Sequence, residues 1–176
     1  MKTLKKIITA SFLLITIMAT AQNDKDKKIM ADAEQAKTTL ITKDDGLEKF
    51  FDNASGYAIF PNVGKGGLII GGASGNGVIY ESGVAIGMSS LKKINIGLQA
   101  GGQAMIQVIF FETDAALAKF KEGNYEFSAE ASAVIADQGE SEDVSYSDGV
   151  VIFALPKAGL MADVSVGGQK FEYDPF

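Results

Sequence analysis

Several residue types that carry chemistry in proteins are absent from this sequence. It contains no cysteine, no histidine and no tryptophan, and its 16 basic residues are all lysine. The missing cysteines exclude disulfides, and without histidine they also exclude ordinary zinc sites and the Ser-His and Cys-His pairs of nucleophilic catalysis. The folded domain must therefore obtain its stability from a packed core.

Positive charge is also scarce relative to negative charge. The formal net charge is -6 at pH 7. Such a surface repels nucleic acid and anionic membranes at long range, so we predict no nucleic-acid partner, and contact with a membrane requires a local basic patch. The acidic stretch 137–148 lacks the spacing and closing glutamate of an EF-hand, so we interpret it as a solvated loop and predict neither a metal site nor a cofactor.

The first 21 residues have the pattern of a secretory signal peptide. Three lysines precede a mostly apolar run over residues 7–18, and Ala19-Thr20-Ala21 has the small side chains of a cleavage site. The run is too short to span a bilayer comfortably. We therefore expect cleavage after residue 21 and a periplasmic or secreted protein, with an uncleaved anchor as the alternative.

Residues 22–55 form the predicted N-terminal helical segment. Apolar positions between Ile29 and Leu40 recur at steps of three and four, which is helical spacing. Asp44 or Asp45 is expected to cap a second, short helix. We assign this segment to one domain with the remainder of the chain.

Residues 56–176 form a predicted glycine-rich antiparallel sheet. Short apolar runs alternate with turn residues, and small inward residues favour a curled sheet or partial barrel. A long strand is expected over 125–135, and a helix from Thr113 to Lys121. The predicted fold class is α+β, with N-terminal helices packed on the curled antiparallel sheet and one further helix between strands.

Three turn or breaker positions are predicted in the first half of this sheet. Pro61 is expected to end the first strand. Asn76-Gly77 is expected to form a hairpin turn, and Ser82-Gly83 a second turn.

Two segments of the sheet resemble each other. Ile59-Phe60, followed by Lys65-Gly66-Gly67-Leu68, recurs as Ile152-Phe153, followed by Lys157-Ala158-Gly159-Leu160. Either the segments are related units with lysines at matching loop positions, or the likeness is chance. Backbone amides in a glycine-containing loop, with an ammonium beside them, can hold an anionic headgroup. The predicted lipid-binding residues are Lys65, Gly66, Gly67, Lys157 and Gly159.

The remaining motifs argue against catalysis. Gly64-Lys65-Gly66-Gly67 lacks the Ser or Thr and the following helix of a phosphate-binding loop. Carboxylates such as Glu126 and Glu130 share one face of a predicted strand, where solvent exposure is the simpler interpretation. We predict no catalytic residue and a protein that is not an enzyme.

A series of stretches resembles the SYLF domain family of lipid-binding proteins. In order across residues 57–173 they are AIFPNVGKGGLIIGGASGNGVIYE, IGLQAGGQ with VIFF, FKEGNYEFSAEASA and DGVVIFALPKAGLMADVSVGGQKFEY. The resemblance implies a module that binds phosphoinositide or another anionic lipid. Eukaryotic relatives also bind actin.

The expected function is that of an exported, non-enzymatic lipid-binding module that contacts anionic headgroups or a membrane surface. One alternative is an envelope structural or stress scaffold that binds a protein partner. The other is an outer-membrane β-barrel, which is disfavoured by the charged residues at alternate positions before Phe176 and by Pro175. The lipid and any protein partner stay open.

Overall fold

Helices and one large sheet make up the part of the protein that the computed structural model describes, residues 24–65, 72–94, 103–123, 132–135, 138–157 and 169–176. Helix α1 covers residues 24–43, a 3-10 turn covers Asp45–Leu47, and α2 covers Glu48–Asn53. The later elements are β1 (Gly56–Lys65), β2 (Gly72–Glu81), β3 (Val84–Ile94), β4 (Gln103–Phe111), α3 (Asp114–Lys121), β5 (Ser132–Val134), β6 (Val150–Pro156) and β7 (Gln169–Pro175).

The strands form one sheet in the order β5-β6-β4-β1-β2-β3-β7. Neighbouring strands are antiparallel except for the short β5, which pairs in parallel with β6. Helix α3 lies between β4 and β5 in the chain. The predicted α+β class, with helices on a largely antiparallel sheet and one helix between strands, is confirmed.

The sheet curls so far that β7 approaches β1 and β4 across its interior. In a flat sheet the three spacings between β1 and β7 would amount to about 14 Å. Instead, the rings of Phe60 and Phe171 lie with their centroids 5.7 Å apart. The buried side-chain amides of Gln107 on β4 and Gln169 on β7 donate to each other at 3.0 and 3.2 Å. The expected curl is therefore present, and the sheet described is not closed.

Two hydrophobic cores cover the two faces of the sheet. The inner face, inside the curl, packs against α3 through residues such as Leu117 and Phe120. The opposite face, called the helix face below, packs against α1 and α2. Strand β6 is buried on both faces, since Val150–Ala154 are all buried, which is typical of a strand between covering layers.

The prediction that Pro61 ends the first strand is wrong. Phe60 pairs with Gln107 and Val63 with Met105, so Pro61 and Asn62 together oppose one residue of β4. This is a β-bulge, an arrangement that accommodates a proline because the bulged position leaves the regular hydrogen-bond ladder. The strand therefore continues through Pro61.

The prediction of a turn at Asn76-Gly77 is also wrong, whereas the turn at Ser82-Gly83 is confirmed. Asn76 and Gly77 lie inside β2 and pair with Ser90 and Ser89 of β3. The chain reverses at Ser82-Gly83, where φ is 50° and 79°. Positive φ at both central residues is the requirement of the type I′ hairpin turn.

Glycine on β2 allows the bulged strand to come close. A Cβ at Gly77 would lie 2.4 Å from the carbonyl oxygen of Ile59, and one at Gly75 would lie 3.0 Å from the carbonyl oxygen of Asn62. Real Cβ atoms do not approach backbone oxygens as closely as 2.4 Å. These glycines therefore serve close strand packing, not a turn.

The helix predicted from Thr113 to Lys121 is confirmed as α3. The Thr113 hydroxyl accepts from the N–H of Ala116 at 3.2 Å, and Gly123 has φ of 75°, as expected for a C-terminal stop. Of the strand predicted over 125–135, the structure describes the short β5. The preceding part of that prediction lies outside the described residues.

The two similar segments place equivalent residues on opposite faces of the sheet. Ile59 belongs to the helix-face core, whereas its counterpart Ile152 belongs to the inner core; Phe60 and Phe153 are exchanged in the same way. The segments are therefore not equivalent structural units, although both precede the same end of the sheet.

One buried carboxylate ties the acidic loop to the helices. Asp44 caps the 3-10 turn and accepts from the N–H groups of Gly46, Gly139 and Ser141 at 3.1, 3.2 and 2.8 Å. Burial raises the pKa of Asp44, but hydrogen bonds from Ser141, Gly139 and Gly46 outweigh it and hold the pKa below its ordinary value. The charged form of Asp44 therefore stabilises the fold.

Substitution of Gly77 tests the close packing of β2 on β1. Gly77→Ala should lower the free energy of unfolding by about 1–3 kcal/mol, because its Cβ collides with the carbonyl oxygen of Ile59 and the ring of Phe60. The control is Gly64→Ala, since a Cβ at Gly64 meets no atom within 4 Å. That variant should change the stability by less than about 0.5 kcal/mol. Urea unfolding followed by circular dichroism measures both, and equal losses would contradict the interpretation.

Substitution of Asp44 tests the contribution of its three backbone hydrogen bonds to stability. Asp44→Asn should lower the free energy of unfolding at neutral pH by about 1–3 kcal/mol, because an amide cannot replace all three charge-assisted bonds. A depressed carboxyl pKa contributes stability that is present above the ordinary value of 3.8 and is lost as the pH falls through the folded value.

The wild type should therefore lose more stability than Asp44→Asn between about pH 5 and about pH 2. The exposed Asp45 provides the control, and Asp45→Asn should keep the wild-type pH dependence. Identical pH dependence of the wild type and Asp44→Asn would show that the Asp44 carboxylate does not contribute to stability.

Candidate functional site

A groove of about 540 Å³ lies beside α1, at the end of the sheet where β1 and β6 finish. We call it the α1 groove. Its volume is in the range of small-molecule sites. It is lined by Asp32, Gln35, Ala36, Thr39 and Lys43 of α1, Pro61 and Asn62 of β1, Ile106 of β4, Leu155 and Pro156 of β6, and Lys157 directly after it.

One flank of α1 forms the wall of the groove. Asp32, Ala36, Thr39 and Lys43 recur at steps of four, three and four, so they share one side of the helix. The side chain of Ala36 is buried and small. The groove therefore extends beneath the helix at this position, while polar side chains line its mouth.

The other flank of α1 is fastened to the sheet. The Tyr80 hydroxyl donates to the Glu34 carboxylate at 2.8 Å. Burial, followed by the hydrogen bond and charge of Glu34, raises the pKa of Tyr80, so the hydroxyl stays a neutral donor. The Lys37 ammonium lies 4.7 Å from the ring centroid of Phe51 and donates to the Tyr57 hydroxyl at 3.3 Å. These contacts hold the wall in place.

The floor of the groove is apolar. Ile106 of β4 pairs directly with Leu155 of β6, and the bulge places Pro61 opposite Ile106 on the other side. Pro156 extends the floor towards the end of β6. Together with Ala36, these residues offer a continuous apolar strip across three strands and the helix.

A positive charge stands at the open end of this strip. Lys157 is exposed, and its backbone N–H donates to the carbonyl of Ala104 at 2.9 Å. Its ammonium donates to the side-chain oxygen of Asn62, the second residue of the bulge. The bulge thus directs Asn62 towards Lys157 and holds the ammonium beside the floor.

The charges of the groove are mixed but net positive. Lys43 and Lys157 contribute two positive charges, whereas Asp32 contributes one negative charge. On a chain with a net charge of -6, this is the local excess of positive charge that contact with an anion requires.

The structure places the ends of β1 and β6 on either side of β4. The backbone of Lys65 pairs with Gln103, and that of Lys157 bonds to the neighbouring Ala104. Two strand spacings, about 10 Å, therefore separate the two backbones. Of the predicted site residues, Lys157 lines the α1 groove. Gly66, Gly67 and Gly159 lie outside the described residues, so their grouping with Lys65 and Lys157 stays a prediction.

Asn62 and the groove-lining stripe of α1 are not predicted from the sequence. Asn62 and Lys157 are 95 positions apart, and only the pairing of β1 and β6 with β4 brings them together. The polar positions 32, 39 and 43 do follow the helical period of the buried Ala36. That pattern is ordinary for a surface helix, so it could not distinguish a groove wall from a solvated face.

Among the described ranges, no helix is both long and apolar enough to cross a membrane. Across the same ranges, no cluster of three or more acidic side chains is arranged to hold a metal ion.

Comparison with known proteins finds a family that matches the second half of the chain. Residues 92–175 match the Ysc84 family, described as Las17-binding protein actin regulator. The match spans β4 and β6, which supply Ile106 and Leu155, and the following Lys157. This part of the chain is similar to the Ysc84 (SYLF) family, in agreement with the resemblance predicted from the sequence.

The chain is also similar to a curated bacterial protein. Beta cell expansion factor A from Aeromonas veronii is 28% identical over 144 residues, which are 81% of this chain and 54% of that protein. The chain therefore spans about half the length of this relative.

Proposed function

We propose that this protein is a non-enzymatic module that binds anionic lipid, with the headgroup at the mouth of the α1 groove. The observation that carries the proposal is the placement of Lys157, whose ammonium stands beside an apolar floor and is oriented by Asn62. A cation next to an apolar strip suits a ligand that is anionic at one end and apolar at the other.

The polar contacts of Lys157 leave it suited to an incoming anion. An ammonium has three N–H donors, and Asn62 accepts one of them. A phosphate or carboxylate oxygen could accept another without displacing the Asn62 contact. Because Lys157 is exposed, the approaching headgroup loses little hydration before the contact forms.

The neighbouring loop is proposed to extend the same site. Lys65 ends β1 and Lys157 follows β6, on either side of β4. In this proposal Lys65, Gly66, Gly67 and Gly159 contribute further donors to the headgroup. Phosphatidylinositol-type lipids are included in this class, because they present several anionic oxygens.

A protein-binding role is the second candidate. It is favoured by the description of the matching family as a Las17-binding protein actin regulator. In that case the same surface would recognise a protein segment, and the chain would serve as a scaffold.

Vesicle binding tests the lipid proposal. Lys157→Gln should weaken binding to vesicles of mixed neutral and anionic phospholipid about fivefold, since one lysine near such a surface contributes about 1 kcal/mol. The control is Lys170→Gln, because Lys170 is an exposed lysine on β7 outside the groove. It should bind within about twofold of the wild type.

Co-sedimentation at low salt measures these affinities. Equal binding by the wild type and Lys157→Gln would remove Lys157 from the site. Failure of the wild type to bind anionic vesicles would favour the protein-binding candidate.

We also propose that the protein is exported and acts in the periplasm or outside the cell. The support is the pattern of residues 1–21, with basic residues, an apolar run and a small-residue cleavage site. Mass spectrometry of the protein purified from its own host should find a mature chain that begins at Gln22. A mature chain that retains the apolar run would contradict cleavage.

A further inference from the structure

The exposed apolar side chains of the described residues are far from the groove. Val84 and Phe176 are large apolar residues with 65% exposure each. Val84 begins β3, and the N–H of Phe176 donates to the carbonyl of Ile86 at 3.2 Å, so both lie at the end of the sheet opposite Lys157. Contact through these residues would hold the groove away from a bilayer.

The surface of α1 beside the groove is polar. Thr38, Thr39 and Thr42 are exposed there, and each hydroxyl donates to the carbonyl four residues earlier. A helix that lies in a membrane interface presents large apolar side chains to the acyl region. The described flank of α1 presents none. Among the described residues of this region, apolar contact with a lipid is therefore offered by the α1 groove.

The shape of the groove suits one alkyl chain. Its floor is a single strip formed by Pro61, Ile106, Leu155 and Pro156, roofed at one side by α1. A volume of about 540 Å³ is that of a site for one drug-sized molecule. A phospholipid with two full acyl chains is considerably larger than such a molecule.

We infer that the α1 groove takes up a single-chain amphiphile with an anionic head as a monomer, its alkyl chain against Ile106 and Leu155 and its head at Lys157. This inference rests on the proposed function, since it uses the same headgroup contact. It goes further by assigning the ligand class, a fatty acid or a single-chain lipid phosphate, and by placing the chain inside the protein.

Chain-length dependence of binding tests the inference. The probes are butyl, hexyl, octyl and decyl phosphate, titrated calorimetrically into the full chain below their micelle concentrations. Each methylene that enters the groove should tighten binding about fourfold, because burial of one CH₂ contributes about 0.8 kcal/mol. The affinity should reach a plateau once the floor is covered. Inorganic phosphate and a neutral alkyl maltoside should bind much more weakly than octyl phosphate.

Two matched threonine variants test where the alkyl chain of the ligand lies. Thr39 and Thr42 are both exposed on α1 and both donate to a helix carbonyl at 2.8 Å, but of the two only Thr39 lines the α1 groove. Thr39→Phe should weaken octyl phosphate binding about fifteenfold, the equivalent of two methylenes. Thr42→Phe should bind within about twofold of the wild type. Urea unfolding of both variants shows whether the fold is retained.

The outcomes separate this inference from the proposed function. If alkyl phosphate binding does not change with chain length, the inference is overturned. The proposed function stays intact in that case if vesicle binding still depends on Lys157. If the protein binds neither anionic vesicles nor alkyl phosphates, the inference and the proposed function are both overturned. Chain-length dependence that Thr39→Phe does not affect also overturns the inference, because the chain then lies elsewhere.

Discussion

The bulge at Pro61 and Asn62 is the constraint on which the α1 groove depends. Two residues of β1 oppose Ile106, so Pro61 joins the apolar floor while Asn62 reaches the ammonium of Lys157. Just before the bulge, β1 comes so close to β2 that a Cβ at Gly77 would collide with the carbonyl oxygen of Ile59. Gly75 and Gly77 on β2 and the floor of the groove thus both lie beside this irregular part of the central strand.

The groove also depends on a helix that is held along one side. The contacts of Glu34 and Lys37 with aromatic side chains of β1, β2 and α2 fasten one flank of α1. On its other flank, the small buried side chain of Ala36 leaves the space of the groove beside Ile106. A strongly acidic protein thereby presents a local pair of lysines beside an apolar strip, which is the combination that an anionic amphiphile requires.

Local sequence patterns predicted the elements whose structure is decided locally. Thr113 and Gly123 bound α3, Ser82-Gly83 turns between β2 and β3, and Asp44 caps the 3-10 turn. Pro61 and Asn76-Gly77 were misassigned because strand pairing overrides their local preferences. Pro61 is accommodated by a bulge, and Gly77 is required by the close approach of β1. Lys157 could be predicted as a site residue because a glycine-containing loop follows it in the sequence. Asn62 and the wall of α1 come close to Lys157 only through the strand register of the sheet, which the sequence does not reveal.

The central claim is that a lipid head meets Lys157 while its chain lies on Ile106 and Leu155. The most direct measurement is a nuclear Overhauser experiment on methyl-labelled protein with bound octyl phosphate. The account predicts contacts from the alkyl protons to the methyl groups of Ile106 and Leu155. Contacts to Val84 at the opposite end of the sheet, with none to Ile106 or Leu155, would contradict it.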